Sequence, residues 1–258
     1  MGLPAGNLYA SVYEKDEEAY SIWREFLSAD KIVKLGRDSN FWEMGTTGPC
    51  GPCSEIIMDM GRDIGCGRPE CSPGCDCDRW LEIWNLVFTQ FNRAEDGRLT
   101  PLPQKNIDTG MGLERLLTAC EGVKSAFQTD LFLPLIRRCQ DMAQVEYGQD
   151  EVADKALRVI ADHTRAVTFL IGDGCLPSNE GRGYVLRRVL RRALRQGRII
   201  GISDPFLYKF TGEVIELMKE AYPPLLKRRQ SIAEIVSCLL YTSPSPRDLS
   251  TSRMPSSA

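Results

Sequence analysis

Four cysteines crowd into one short stretch, Cys66, Cys71, Cys75 and Cys77, spaced C-x4-C-x3-C-x-C. Glycine and proline between them permit tight turns, and four soft thiolates in one loop can close a tetrahedral Zn²⁺ site. Such a site keeps no open coordination position, so its role would be structural. Four free thiols are the alternative, and the Cys75-x-Cys77 pair is tighter than a standard zinc ribbon; zinc is the expected occupant. A second constellation is "IDTGMGLERL", residues 107–116. Gly110 and Gly112 let the backbone approach a ligand where a side chain would collide. They lead into a helix start able to meet phosphate, with Arg115 one turn later and the Asp108 carboxylate just before. By itself a Gly-x-Gly turn is weak evidence, and a plain structural turn is the favoured reading. The third is basic: Arg187, Arg188, Arg191, Arg192 and Arg195 recur along one helix face. They would serve as a solvated face or as phosphate contacts to RNA.

The elements that must carry these residues follow from apolar periodicity. "LYASVYE" at 8–14 alternates as a strand, "DEEAYSIWREFL" has helical spacing, and "KIVKLG" is a short strand. "NFWEMGTTGPCGPC" reads as a loop that becomes a strand at 55–60. After the cysteine insertion, 63–78, "WLEIWNLVFTQFNR" is a strand running to a turn at Glu95-Asp96-Gly97. "NIDTGMGLERLLTACEGV" is a strand end, a glycine turn and a helix. From Asp130 the pattern is helical almost throughout. The expected class is α+β: an antiparallel sheet with flanking helices over 1–145, then an all-helical domain over 154–236.

Bulk properties restrict the function classes. The 258 residues can bury a sizeable core, and a formal net charge of −3 excludes a wholesale nucleic-acid coat while allowing a local basic patch. No apolar run spans a bilayer, and residues 1–10 lack the pattern of a secretory signal. Of ten cysteines, six lie between Cys50 and Cys77 and the rest are scattered singly. That is the pattern of a reducing compartment with one metal site, so a cytoplasmic location is expected.

"GPCGPCSEI", "EIWNLVFTQFN" and "IDTGMGLERL", in this order, resemble the aminoacylation core of the alanyl-tRNA synthetase family, class II ligases. The likeness continues through "LRVIADHTRAVTFLIGDGCLPSNEGRGYVLRRVLRRALRQGR". The resemblance implies an alanine–tRNA ligase with ATP and Mg²⁺, L-alanine and tRNA(Ala) as partners, and a truncated class II antiparallel sheet. It implies that ATP is contacted by Trp42, Ile83, Trp84, Asn85, Gly112 and Arg115, and alanine by Asn85 and Asp108. It places Asn179 in a loop that reads the acceptor stem, with Arg182, Arg187, Arg188, Arg191, Arg192 and Arg195 as tRNA contacts. No covalent enzyme nucleophile is implied, so no catalytic residue is assigned. The lone His163 is expected to be structural or to face tRNA. Cys50 and Cys53 belong to the family's pocket loop and are expected to pack there rather than bind metal. The cysteine insertion, directly before the strand carrying Asn85, would be a clip on the active-site wall rather than an independent knuckle.

The chain departs from the family pattern at Thr46, where an acidic residue is expected. By resemblance the first two class II motifs would precede residue 1, and the editing and oligomerisation segments would follow Val236. Such a fragment would be inactive alone. From 237 to 258 the composition turns to Ser, Pro and Thr, expected as a disordered tail. Back-translation of Cys238–Asp248 and of Ser252–Ala258 resembles two ends of a sequencing adapter, so native sequence is expected to stop near Val236. A non-catalytic, zinc-containing tRNA- or RNA-binding module is the alternative function. A general ATP-dependent amide ligase is a third, disfavoured by Asp108 together with the basic helix.

Overall fold

The computed structural model describes residues 2–241, which fall into two compact units, Met1–Thr129 and Asp130–Ala258. The first is a six-stranded sheet with helices, the second is all helix. That is the α+β class the sequence implies. The stretch 145–154, where the sequence changes character, is a connection inside the second unit; the division itself falls after Thr129.

In the first unit, β1 (Leu8–Tyr13) and β2 (Ile32–Leu35) pair in parallel around α1 (Glu17–Trp23). The Asp16 side chain caps α1 by accepting the Ala19 N–H at 2.9 Å, and Glu17 and Glu18 suit the positive end of its dipole. A single turn, α2 (Arg37–Asn40), leads to β3 (Phe41–Glu43). Then come β4 (Gly48–Asp59), β5 (Trp80–Arg93), β6 (Leu99–Met111) and α3 (Leu113–Glu121). The order is β2-β1-β4-β5-β6, with β3 also on β4, and every pair except β1/β2 is antiparallel. Val12, Ala19 and Ile32 form one core cluster with Phe88 and Trp23 against it; Met58, Ile83 and Ala119 form another with Leu81 and Leu116. Helices α1 and α3 thus each contribute to a core built on the sheet.

The expected loop at "GPCGPC" is in fact strand. Residues 48–54 belong to β4, held between β3 and β5, because the sheet supplies partners for the backbone groups that Gly and Pro make hard to satisfy locally. The register with β5 shifts between Cys50 and Cys53, where two residues face three. Gly51 sits in that bulge, and a Cβ there would lie 2.0 Å from the Phe88 carbonyl oxygen.

In the second unit, α4 (Leu133–Ala143), α5 (Glu151–Gly172), α6 (Gly181–Ile199), α7 (Leu207–Met218), α8 (Pro224–Lys227) and α9 (Arg229–Tyr241) pack around α5. Ala153, Ala156, Leu157, Ile160, Ala161, Thr164, Val167, Thr168 and Ile171 are buried along α5, a stripe at helical spacing. The first residues of the expected tail, 237–241, correct that expectation: they continue α9, whose buried Val236 and Ile232 carry the periodicity up to them. Residues 242–258, and with them most of the adapter-like stretch, lie outside the described residues. Among the described residues no helix is long and apolar enough to cross a membrane.

The bulge at Gly51 generates a first prediction. Gly51→Ala should destabilise the first unit by about 3 kcal/mol, because backbone rather than a movable side chain opposes the new methyl. Gly110→Ala, where nothing lies within 4 Å, should leave the thermal unfolding midpoint unchanged.

Candidate functional site

A second irregularity sets the geometry of the candidate centre. Ile57 pairs with Glu82 while Ile56 pairs with Trp84, so Ile83 is an extra residue in β5. Without it, Glu82 and Asn85 would point to opposite faces; the bulge returns both to the face that carries Glu55. Glu55 is the register partner of both Ser11 and Asn85, and Asn85 is opposite Gly110. The Ser11 hydroxyl donates to the Glu55 carboxylate at 3.0 Å and accepts from Asn40 Nδ2 at 2.9 Å. The same Asn40 nitrogen reaches the Cys53 carbonyl at 3.1 Å. Arg115 Nη1 donates to Glu82 Oε2 at 2.6 Å and to the Glu82 carbonyl at 3.2 Å, which fixes the guanidinium over the strand.

Burial pushes the Glu55 carboxyl above its ordinary value and Glu82 adds to the effect, while Ser11 and Arg115 oppose it. Burial also pushes the Cys53 thiol up to about 12, so this cysteine and the buried Cys50 are poor metal ligands or nucleophiles. Asn85 Oδ1 is shut off from solvent with no hydrogen-bond partner among the described residues. A buried acceptor left unmade costs about 1–3 kcal/mol, a cost that a bound donor would remove.

The structure brings some of the sequence candidates together and not others. Asn85, Gly110 and Asp108 lie on neighbouring positions of β5 and β6, with Asp108 exposed opposite Val87. Gly112 precedes α3, its N–H bonded to the Ile83 carbonyl at 3.1 Å, and its Cα faces the Arg115 side chain. Ile83 is different. Only 4% exposed, it packs with Met58 and Ala119 in the core, because it is the bulged residue. Trp84 pairs with Ile56 and Met111, one position out of step with Asn85. Trp42, 37% exposed, is opposite Gly51, and Thr46 lies in an exposed bend. Sequence reasoning missed Ser11, Asn40, Glu55 and Glu82. The available signal was a carboxylate within each of two apolar strands.

The four cysteines of the insertion do converge. Cys66 and Cys75 sulfurs are 3.8 Å apart, Cys71 and Cys77 sulfurs 3.7 Å, and all four lie within 4.8 Å of one another. A tetrahedron with metal–sulfur bonds of about 2.3 Å has edges of about 3.8 Å, so the donor set fits zinc. Cys50 and Cys53 are not among the four. Tight turns close the loop, with Cys71 N–H on the Arg68 carbonyl and Cys75 N–H on the Ser72 carbonyl. The hydrogen bond from Arg68 lowers the Cys66 thiol to about 6, while burial and the neighbouring Cys77 and Cys66 sulfurs push the Cys75 thiol up to about 12, so the crowded sulfurs do not all ionise together without a cation among them. The loop's ends are joined independently. Arg79 donates to both Asp59 oxygens at 2.8 and 2.6 Å, and the Met60 N–H bonds the Arg79 carbonyl.

In the second unit the basic residues lie on α6. Gly183, Leu186, Leu190, Ala193 and Gly197 are its buried stripe, and α6 packs on α5. Arg182, Arg188, Arg192 and Arg195 are exposed, Arg187 and Arg191 half-buried. Arg187 donates to Asn179 Oδ1, tying the preceding loop to the helix. His163 is largely buried and pairs with Asp162 at 2.9 Å, holding that carboxyl below its usual range.

Glu55 supplies a pH prediction. Its folded-state value is raised, so its contribution to stability is present at low pH and is lost as pH rises through that value. Glu55→Gln keeps the acceptor for Ser11 and removes the buried charge. The variant should therefore melt higher than the native chain at pH 7, and the gap should close as pH falls through the ordinary glutamate range.

A family model described as tRNA synthetases class II (A) matches residues 1–238. Alanine–tRNA ligases from Thermoanaerobacter sp. (strain X514) and Natranaerobius thermophilus are 53% and 54% identical over 238 residues, 92% of this chain. That from Endomicrobium trichonymphae is 52% identical over 236 residues, again 92% of the chain. The chain spans 27% of the length of each of these relatives. On the match over nearly its whole described length, the chain belongs to the class II alanyl-tRNA synthetase family and carries part of that family's catalytic region.

Proposed function

We propose that this chain carries part of the aminoacylation centre of an alanine–tRNA ligase, which activates alanine with ATP and transfers it to tRNA(Ala). The observation that carries the reading is the unpartnered Asn85 Oδ1, on the same sheet face as the fixed Glu82–Arg115 pair and beside Asp108. Asn85 would accept from the alanine ammonium or from the nucleotide. Asp108, exposed and without an ion pair among the described residues, would hold the ammonium as its counter-charge. Arg115 would bind ATP beside the open backbone at Gly110 and Gly112, with Trp42, Trp84 and the backbone of Ile83 bordering the adenosine. The alanine carboxylate oxygen attacks the ATP α-phosphorus and pyrophosphate leaves; the terminal ribose hydroxyl of tRNA then attacks the adenylate carbonyl and AMP leaves. Arg115, with the Mg²⁺ that accompanies ATP, would neutralise the phosphate charge, and positioning would do the rest.

The centre is half open. Strand β6 is an edge of the sheet, exposed over most of its length, with Ile107 at 70% and Leu113 beyond it at 61%. An active site requires a wall there that excludes water, which supports the reading that the first two class II motifs lie outside this chain. The cysteine loop is acidic in balance: residues 61–79 hold three arginines against Asp63, Glu70, Asp76 and Asp78. Four thiolates with one Zn²⁺ would add a further formal charge of about −2. This disfavours the loop as a nucleic-acid grip and favours a structural zinc clip, while α6 with Asn179 serves tRNA.

Two measurements test the proposal. The chain alone should show no alanine-dependent ATP–pyrophosphate exchange. A longer chain extended at its N-terminus should show it, and Asp108→Asn in that chain should lower kcat/KM for alanine at least 100-fold; robust exchange by the chain alone would sink the fragment reading. For tRNA, replacing Arg188, Arg192 and Arg195 with Ala should weaken binding. The log–log salt slope should become shallower by about 0.7–0.9 for each phosphate that is no longer neutralised.

A further inference from the structure

We infer that Arg68 and Trp80 form the outer shell of the four-cysteine metal site, Arg68 as its counter-ion and Trp80 as its anchor to the sheet. The inference rests on the reading of that cluster as a zinc site. Arg68 spans the first sulfur pair: Nε donates to Cys66 Sγ at 3.3 Å and Nη2 to Cys75 Sγ at 3.2 Å. The two sulfurs, 3.8 Å apart, match the fork of a guanidinium, which presents parallel N–H groups that an ammonium lacks. Trp80 serves the second pair, its indole N–H donating to Cys71 Sγ at 3.2 Å. Each pair of sulfurs thus receives a donor from a different part of the chain.

The two donors are held by different forces. Trp80 is the first residue of β5, edge-on to Tyr9 at 5.1 Å between centroids, with the Arg79 guanidinium 4.3 Å over its ring. Arg79 is itself clamped by Asp59, so the indole direction is set by the sheet. Arg68 is exposed, on the rim of a cleft of about 500 Å³ that Arg62, Arg79, Tyr9 and Trp80 also line. Little packing holds its guanidinium over the sulfurs; charge does. A divalent ion with four thiolates carries about two negative charges, and N–H donors to the sulfurs offset that charge and tune the ligands. The other loop acids, Glu70, Asp76 and Asp78, can only add to the negative charge; Arg79 also interacts with Cys71 but is committed to Asp59, so Arg68, bonded to two sulfurs, is the cation free to serve the cluster. Arg62 lines the same cleft with no hydrogen bond to any of the four sulfurs, which makes it the natural control.

The experiment uses the chain as it is, reduced and stripped of metal, with Zn²⁺ affinity read by competition with a chromophoric chelator. Co²⁺ substitution reports geometry through its ligand-field and thiolate charge-transfer bands. One equivalent should bind with tetrahedral bands. Arg68→Met should weaken Zn²⁺ binding 10- to 100-fold, Arg68→Lys should recover part of the loss, and Arg62→Met should leave affinity unchanged. Trp80→Phe keeps the ring, loses the N–H and should shift the Co²⁺ charge-transfer band. Far-UV circular dichroism checks that each variant keeps its sheet. Equal affinity for the native chain and Arg68→Met, or an equal loss in Arg62→Met, would overturn the inference while leaving the zinc site intact. No bound metal in the native chain, with free thiols reacting at all four positions, would overturn the zinc reading and the inference with it.

Discussion

Strands β4 and β5 pair along almost their whole length, and the pairing slips twice. Each slip has a separate consequence. At Cys50–Cys53 the missing residue on β4 bends the strand and brings its backbone so close to Phe88 that only glycine fits at position 51. At Ile56–Ile57 the extra residue on β5 buries Ile83 against α3 and turns Glu82 to the same side as Asn85. Regular alternation would have separated the Glu82–Arg115 pair from Asn85 by the thickness of the sheet. The candidate centre is therefore a product of register, and the side chains that form it are correct only as long as that register holds.

The register is held against a cost. Ser11 and Asn40 are fully buried polar side chains, Glu55 is a half-buried carboxyl, and Asn85 carries an acceptor with no donor. Each would be better solvated in the unfolded chain. Two networks limit the loss: Asn40 to Ser11 to Glu55 on one side, and Arg115 to Glu82 on the other. Apolar packing of Val12, Ile32, Met58 and Ile83 below the strands supplies the favourable term. Asn40 Oδ1, Ser54 Oγ and Asn85 Oδ1 remain uncompensated among the described residues, and of the three the Asn85 oxygen lies beside Gly110 and Asp108, where a ligand would gain from it. A scaffold that stored no such deficit would bind its ligand less well relative to water.

Much of this was legible in the sequence, and the limits have physical causes. The strands at 8–13 and 80–93 and the helices from residue 130 follow from apolar period, which burial enforces over many residues at once. The four-cysteine loop was legible because thiolate chemistry is local: its ligands, turns and glycines all lie within one short segment. "GPCGPC" reads as loop because propensity weighs Gly and Pro as breakers, whereas a strand held on both sides overrides that preference. The resemblance places Ile83 near the nucleotide together with Trp84 and Asn85. A one-residue bulge sends their side chains different ways, and nothing local to "EIWN" announces it. Glu55 and Glu82 were within the quoted motifs, yet their meeting depends on strand pairing that sequence spacing does not encode.

The metal loop and the centre share strand β5, and whether they share stability depends on what closes the loop. Residues 60–79 are bracketed by the Asp59–Trp80 register pair and by the bidentate Arg79–Asp59 bridge. The chain ends are thus already together before any metal is bound, and the closure entropy that a metal would otherwise have to offset has been met by the sheet. Metal binding then needs only to order the interior of the loop around four sulfurs that the turns have gathered. The loop meets the sheet at Trp80, whose ring is wedged by Tyr9 and Arg79 whether or not the indole N–H has a sulfur partner, and at Arg79, clamped by Asp59. The cysteine loop is therefore joined to the rim of the sheet, while the register of β4 and β5 sets the centre.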